Sequence, residues 1–328
     1  MKLATIPGTT PDGTLVVVSN DLSFATPVPD IAPTMQHAMD HWSTAQPRLA
    51  ALAARMNAGE SVTGMVRFDR ERALAPLPRA YAWLDGSSYL SHVALFRKVA
   101  GGTVPDSYYS VPLMYQGGSD RMLGCRAPLP CRDEWGADCE GEVGVVIGDV
   151  PMRPTREQAL RAIRLVTILN DVSLRALQPR ERETGFGWVH CKPPTAFAPV
   201  VVTPDVLGKQ WRDGKLHGPL QVSLNGAPLG RPDTGVGMHF DFAELIQHAA
   251  ATRDLSAGTL IGSGTVSNAN AEEVGVACIA ERRFLEQLSH GKPATPYLRD
   301  GDVVALDMVD GSGRSIFGDI VQRAVGVP

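Results

Sequence analysis

Apolar residues in this chain recur mostly in short runs bounded by turn signals. CEGEVGVVIG, TILNDVSLR, FAPVVVTPDVL, LQVSLNG and YLRDGDVVALDMVDG are typical of β-strands, with NG, DG and GSG turns nearby. Helical spacing is clearest in TREQALRAIRLV, where Thr155 and Gln158 form a predicted capping box, and in FDFAELIQHAA, where Asp241 is the predicted N-cap. Strict strand–helix alternation is missing, which disfavours a doubly wound nucleotide fold. The pattern predicts a β-rich body with a few helices.

Residues 1–75 form a predicted leading module. LATIPG and PDGTLVVVS are typical of a hairpin with Asp12-Gly13 at its turn, and PTMQHAMDHW and PRLAALAARMNAG of two helices. The second helix is predicted to stop at residues 57–59. Pro76 and Pro78 mark a linker near residues 68–80. We therefore expect a small N-terminal domain over 1–75 and a larger domain over 76–328.

Composition narrows the classes of function. A net charge of −4 and a pI near 6.1, with no Lys/Arg cluster, argue against a nucleic-acid partner. The N-terminus lacks the apolar core of a signal peptide, and no run approaches the roughly 18 apolar residues of a membrane span. The five cysteines form no CxxC pair and no disulfide framework, which indicates a reducing compartment. We expect a cytoplasmic protein without a membrane partner.

Acidic residues carry the clearest chemical signal. Glu140 and Glu142 lie two residues apart on a predicted strand, so both side chains should project from one face. Neighbouring carboxylates repel unless they stay solvated, share a proton or hold a cation. With Asp85 and Asp171 they would form an all-oxygen site that favours Mg²⁺, Mn²⁺ or Ca²⁺ over Zn²⁺. Taken alone, a solvated strand face and a turn cap at Asp171 are the ordinary alternatives.

The order of several motifs resembles that of the fumarylacetoacetate hydrolase superfamily over roughly residues 80–328. LDGSSYLSH, with Asp85 and His92 seven residues apart, is similar to the family's metal-binding Asp and catalytic His. The matches that follow in order are the E-x-E strand CEGEVGVVIG, the N-D-x-S-x-R-x-x-Q segment ILNDVSLRALQ, GWVHCKPP, LIGSGTVSNANAEEVGVACIAE and PYLRDGDVVALDMVDGSGRSIFGDI. Each motif is weak alone, and only their joint order supports an active site.

The resemblance implies an α+β, β-rich fold: a mixed β-sandwich roll of the fumarylacetoacetase C-terminal type, preceded by a small β-containing N-terminal domain. It also implies a homodimer and a bound Mg²⁺ (or Ca²⁺ or Mn²⁺). The implied metal ligands are Asp85, Glu140, Glu142 and Asp171. The implied catalytic residues are His92 as base, Glu281 as its partner and Lys192 as donor to the developing enolate. The implied substrate contacts are Tyr115, Gln178, Thr265 and Arg97.

This set predicts a metal-dependent hydrolase that cleaves a carbon–carbon bond of a small 1,3-diketo acid, fumarylacetoacetate or a related acylpyruvate, in aromatic compound breakdown. An oxaloacetate-type decarboxylase, or an isomerase or hydratase of an enol acid, is the second hypothesis. A non-catalytic metal-binding scaffold is the third. One departure concerns the substrate: QPRERE presents Arg180 and Arg182 where the family has a tyrosine, which favours a more anionic substrate.

Overall fold

The computed structural model describes residues 1–328 as a chain of strands joined by eight α-helices. The strands are Lys2–Ile6 (β1), Thr14–Val18 (β2), Phe24–Pro27 (β3), Val66–Arg67 (β4), Trp83–Gly86 (β5), Met114–Gly117 (β6), Leu129–Cys131 (β7), Ala137–Asp138 (β8), Gly141–Ile147 (β9), Ile163–Asn170 (β10), Ser173–Leu174 (β11), Ala196–Phe197 (β12), Val200–Val202 (β13), Trp211–Arg212 (β14), Lys215–Leu216 (β15), Gln221–Leu224 (β16), Ala227–Gly230 (β17), Thr259–Gly262 (β18), Val303–Asp307 (β19) and Ile320–Gly326 (β20). The helices are Met35–Asp40 (α1), Trp42–Asn57 (α2), Leu90–Val99 (α3), Arg156–Ala162 (α4), Gln178–Thr184 (α5), Phe242–Ala249 (α6), Ala271–Val274 (α7) and Ile279–His290 (α8). None of these helices has the length and apolar character that crossing a membrane would require.

Two sheets carry most of the fold. The larger has eleven strands in the order β4–β3–β2–β1–β13–β10–β9–β18–β5–β6, with β12 paired to β10. The smaller has five strands in the order β17–β16–β19–β20–β7. Pairing is antiparallel except between β18 and β5 and between β20 and β7. The architecture confirms the predicted β-rich α+β class.

Both faces of the larger sheet are buried in its central strands, which explains their continuous apolar runs. In β2, Val16 and Val18 belong to a core cluster of 53 residues, whereas Leu15 and Val17 belong to a second cluster of 25 residues. The alternation places successive side chains in different cores. The second cluster includes the buried residues of α1 and α2, so these helices cover one face of the sheet.

Several local predictions are confirmed. β1 and β2 pair antiparallel, and Gly13 takes the left-handed conformation (φ +67°) that the turn before β2 requires. The Thr155–Gln158 capping box opens α4, and Asp241 caps α6. Because β1 pairs with β13, the leading strands extend the same sheet as the later ones. The boundary after residue 75 stays a prediction.

One helix prediction is wrong in extent. The helix in TREQALRAIRLV ends at Ala162, and the following IRLV begins β10. Ile163, Leu165 and Val166 are buried in that strand and pair with β9, so tertiary pairing overrides the helical spacing. The sequence patterns also gave no sign of α3 and α8, two helices that carry residues of the candidate site.

Candidate metal centre and active site

Strand alternation brings three carboxylates to one face of the larger sheet. They lie two or four residues from apolar residues of the 25-residue cluster, and even spacing along a strand keeps side chains on one face. The carboxylates are those of Asp85, Glu142 and Asp171, and the apolar residues on their face are Trp83, Val146 and Leu169. Their ligand oxygens lie within 4.8 Å of one another, and all three side chains are buried. We call these three acids the carboxylate cluster.

The carboxylate cluster has the properties of a cation site. Neither side-chain oxygen of Glu142 has a hydrogen-bond partner, although the residue is fully buried. Burial, with the nearby charges of Asp85 and Asp171, raises the pKa of Glu142 well above its usual range. Burial and Asp171 raise the pKa of Asp85 to about 8. The two unsatisfied oxygens of Glu142, close to the buried carboxylates of Asp85 and Asp171, fit a hard divalent cation such as Mg²⁺, Mn²⁺ or Ca²⁺.

Glu140 lines the same cavity but is engaged by protein donors. Its carboxylate accepts hydrogen bonds from Ser173 Oγ at 2.9 Å, Arg175 Nη2 at 2.6 Å and Lys192 Nζ at 2.5 Å. Burial alone would raise the pKa of Glu140, but the charges of Arg175 and Lys192 outweigh it and hold the pKa below its usual value. The ligand oxygens that lie within 4.8 Å of one another are those of Asp85, Glu142 and Asp171, so Glu140 lies outside the carboxylate cluster, although both glutamates line one cavity as the strand predicted. The role of Glu140 as a metal ligand stays a prediction.

Lys192 connects Glu140 to the carboxylate cluster. Its ammonium also donates to Asp171 Oδ2 at 2.5 Å. Burial would lower the pKa of Lys192, but Asp171 and Glu140 outweigh it and raise the pKa above its usual value. The side chain therefore stays protonated and can serve as a hydrogen-bond donor rather than a base.

The GSGT motif makes room for the first acid. Gly262 of β18 pairs with Asp85 of β5, and a Cβ at this position would collide with the Asp85 carboxylate. Gly264 has a φ of +79°, and its backbone N–H donates to Asp85 Oδ1 at 3.1 Å. A side chain at Gly262 would displace Asp85, whereas one at Gly264 would collide with the backbone of Gly86 and Ser87 directly after Asp85.

Two packed helices place a histidine against a carboxylate. His92 lies in the first turn of α3 and Glu281 in the first turn of α8. His92 Nδ1 and Glu281 Oε1 are 2.8 Å apart. Glu281 is fully buried, whereas His92 lines the cavity. A carboxylate that accepts the Nδ1 proton fixes the ring and leaves Nε2 as a proton acceptor.

The predicted site residues converge on one cavity of about 480 Å³. Nine of them line it: Asp85, His92, Arg97, Tyr115, Glu140, Glu142, Gln178, Lys192 and Thr265. The other two, Asp171 and Glu281, hydrogen-bond to lining residues.

Tyr115, a predicted substrate contact, donates a hydrogen bond from its hydroxyl to Asp171 Oδ2 at 2.6 Å. Burial and Asp171 raise the pKa of Tyr115 well above its usual range. The chemical roles of the predicted site residues stay predictions.

Several residues of the site were not assigned a role from the sequence. Ser173 and Thr195 donate to site carboxylates, while Arg175 and Trp188 line the cavity. Arg182, which the sequence marked as a departure from the family, lines the cavity as well. For Arg175, the arginine of the N-D-x-S-x-R segment was an available signal. Trp188 lies in the GWVHCKPP motif and Thr195 directly follows that motif, but the motif was used only for Lys192.

Two family models match this chain over most of its length. Residues 82–323 match the family described as "Fumarylacetoacetate (FAA) hydrolase C-terminal", and residues 1–79 match "Fumarylacetoacetase N-terminal domain 2". The chain belongs to the fumarylacetoacetate hydrolase family.

Similar proteins differ in the reactions that their names state. The chain is 30% identical over 172 residues to a 2,4-didehydro-3-deoxy-L-rhamnonate hydrolase of Sphingomonas sp. (strain SKA58), covering 52% of this chain and 51% of that protein. It thus spans about half the length of that relative. It is 24% identical over 200 residues to an oxaloacetate tautomerase of Escherichia coli (strain K12), covering 59% and 84%. A maleylpyruvate hydrolase structure from Sphingobium sp. SYK-6, in complex with manganese(II) and pyruvate, shares the fold over 100% of both chains, with a TM-score of 0.65 and 15% identity.

Proposed function

We propose that this protein is a divalent-metal-dependent hydrolase that cleaves a carbon–carbon bond in an acylpyruvate or a related 1,3-diketo acid. The observation that carries the proposal is the His92–Glu281 pair facing the same cavity as the carboxylate cluster. A base beside a cation site is what water addition to a carbonyl requires.

The carboxylate cluster would hold the cation. When bound, the cation would hold the keto and carboxylate oxygens of the substrate and polarise the carbonyl under attack. The unpaired oxygens of Glu142 support this assignment most directly. The solved structure of similar fold that holds manganese(II) and pyruvate supports testing Mn²⁺ beside Mg²⁺ and Ca²⁺, which an all-oxygen site also favours.

His92 would act as the base, with Glu281 holding its ring. Nε2 takes a proton from water, and the hydroxyl adds to the acyl carbonyl carbon. The bond from that carbon to the pyruvate methylene breaks, and its electron pair passes to the pyruvate enolate. The proton held by His92 then returns to the methylene carbon, giving pyruvate and a carboxylic acid. Lys192, which keeps its proton, would donate a hydrogen bond to the enolate oxygen as charge develops.

A second candidate is tautomerisation or isomerisation of an enol acid, or decarboxylation of an oxaloacetate-like acid. The similarity to an oxaloacetate tautomerase, over 84% of that protein, supports it. Proton transfer between carbon and oxygen needs one base and one donor, which His92 and Lys192 would also provide. Hydrolysis differs in that it also requires a water molecule within reach of His92. Because both reactions use the same residues, turnover of different substrates distinguishes them better than mutation of His92 or Lys192 does.

Loss of the enol ultraviolet absorbance tests the proposal. We would follow fumarylacetoacetate, fumarylpyruvate and acetylpyruvate, with oxaloacetate as comparison, in Mn²⁺ or Mg²⁺ and then in chelator. If the protein forms pyruvate from an acylpyruvate and His92→Ala abolishes this activity, the result supports the hydrolase. His290→Ala, at an exposed histidine, is the matched control and should keep the activity. Turnover of oxaloacetate alone would favour the second candidate. Metal binding with no turnover of any substrate would favour a scaffold.

We also propose a homodimer that acts in the cytoplasm. The five buried thiols, none of them in a disulfide, support a reducing compartment. Light scattering on the purified protein measures the oligomeric state directly.

A further inference from the structure

We propose that Arg182 determines specificity by binding a second carboxylate, carried on the acyl part of the substrate. This inference rests on the proposed function. It assigns the substrate class as dicarboxylic acylpyruvates.

The cavity changes charge from its floor to its rim. Asp85, Glu140 and Glu142 line it and are buried, whereas Arg182 lines it and is exposed. If one carboxylate of a dianionic substrate binds beside the buried acids and their cation, its other carboxylate would lie closer to the exposed Arg182.

The cations along the cavity differ in whether they are already neutralised. Arg175 pairs with Asp138 and Glu140, and Lys192 pairs with Glu140 and Asp171. No carboxylate lies within ion-pair distance of Arg182. Arg97, also on the wall, donates only to the Tyr108 hydroxyl, at 2.9 Å. Arg97 and Arg182 are therefore the cations available to a substrate carboxylate, and Arg182 is the more exposed of the two.

Aromatic packing holds the Arg182 guanidinium in place. It lies over the Phe96 ring, 4.8 Å from the centroid, and Phe96 packs edge-on against Phe284 at 5.7 Å. A guanidinium that packs on an aromatic ring uses no N–H donor for a carboxylate there, so its donors stay available to a substrate. Glu181, the preceding residue in α5, accepts the backbone N–H groups of residues 189–191, which fixes the loop that follows the helix.

Matched keto acids measure this contact without requiring turnover. We would titrate the Mn²⁺-loaded protein by calorimetry with α-ketoadipate and with α-ketocaproate, which have equal chain length and differ in a terminal carboxylate. Arg182→Gln should weaken α-ketoadipate binding about tenfold, because a charge-assisted hydrogen bond is lost. Binding of α-ketocaproate should change by less than about twofold. Arg180→Gln, an exposed neighbour in α5 outside the cavity lining, is the matched control and should change neither.

Turnover then separates this inference from the hydrolase proposal. With succinylpyruvate and butanoylpyruvate, Arg182→Gln should lower kcat/KM for the first about tenfold more than for the second. Arg182→Lys should restore part of that difference, because lysine keeps the positive charge but lacks the paired N–H donors of the guanidinium. Equal weakening of both keto acids, or no wild-type preference for α-ketoadipate, overturns the assignment of Arg182. Arg182-dependent binding with no cleavage of either acylpyruvate supports the subsite and overturns the hydrolase.

Discussion

Asp138 and Arg175 form a buried ion pair in which Arg175 Nε donates to Asp138 Oδ2 at 2.8 Å. The same carboxylate accepts the first two backbone N–H groups of α8, at 2.7 and 3.0 Å. Arg175 also holds Glu140, and α8 carries Glu281. One buried acid therefore connects the helix of the histidine–glutamate pair to the acidic floor of the cavity.

Asp138→Asn should destabilise the protein. The change leaves Arg175 with an incomplete partner set in a buried site, and breaking such a pair costs about 3–5 kcal/mol. Urea denaturation of the metal-free protein measures the free energy of unfolding. Glu157→Gln, which breaks an exposed pair with Arg161, is the control and should change it by no more than about 0.5 kcal/mol. Equal losses in both variants would show that Asp138 is not a structural connection.

Glu142→Gln and Glu140→Gln should behave differently. Glu142 has no protein partner, so its loss should weaken Mn²⁺ binding about a hundredfold with little effect on the fold. Glu140 neutralises Arg175 and Lys192, so its loss should cost about 3 kcal/mol of stability. Calorimetric titration with Mn²⁺ and urea denaturation separate the two effects. Unchanged Mn²⁺ affinity in Glu142→Gln would remove the metal assignment.

Stability without metal should fall as the pH rises. The folded pKa of Asp85 is about 8, above its ordinary 3.8, because of burial and the charge of Asp171. Between these values the folded state holds a proton that the unfolded state has released, so the free energy of unfolding decreases with pH. We expect the Tm of chelator-treated protein to decline from pH 5 to pH 8, on the order of several degrees.

Bound metal and a matched variant provide the controls for this pH dependence. Mn²⁺ takes the place of the proton, so its stabilising effect should grow over the same pH range. Asp85→Asn has no proton to lose at this position and should give a flatter Tm profile. A Tm that rises with pH in the chelator-treated wild type would contradict the raised pKa.

Lys192→Met should separate turnover from metal binding. Loss of the ammonium should lower kcat about a hundredfold if it acts mainly on the developing enolate. It also removes a positive charge 2.5 Å from Asp171, so Mn²⁺ should bind about tenfold more tightly. Steady-state kinetics and calorimetry measure the two, with the exposed Lys209→Met as control. An effect confined to KM would show that Lys192 only holds the substrate.

Local patterns predicted what depends on neighbours in sequence. The turn glycine before β2 and the caps of α4 and α6 follow from residues a few positions apart, and the structure has them. The predicted extent of α4 was wrong because Ile163 and the residues after it are stabilised more by pairing with β9 than by continuing the helix.

By itself, the sequence determined the β-rich class and the motif order that indicates the family. It also determined that Glu140 and Glu142 share a face, because strand alternation is local. Only the tertiary structure decided that the two differ: Lys192 and Arg175, distant in sequence, neutralise Glu140 and leave Glu142 unpaired. The His92–Glu281 pair, 189 residues apart, depends likewise on how α3 packs against α8. Charge pairing and long-range packing depend on distances through space, which no local pattern encodes.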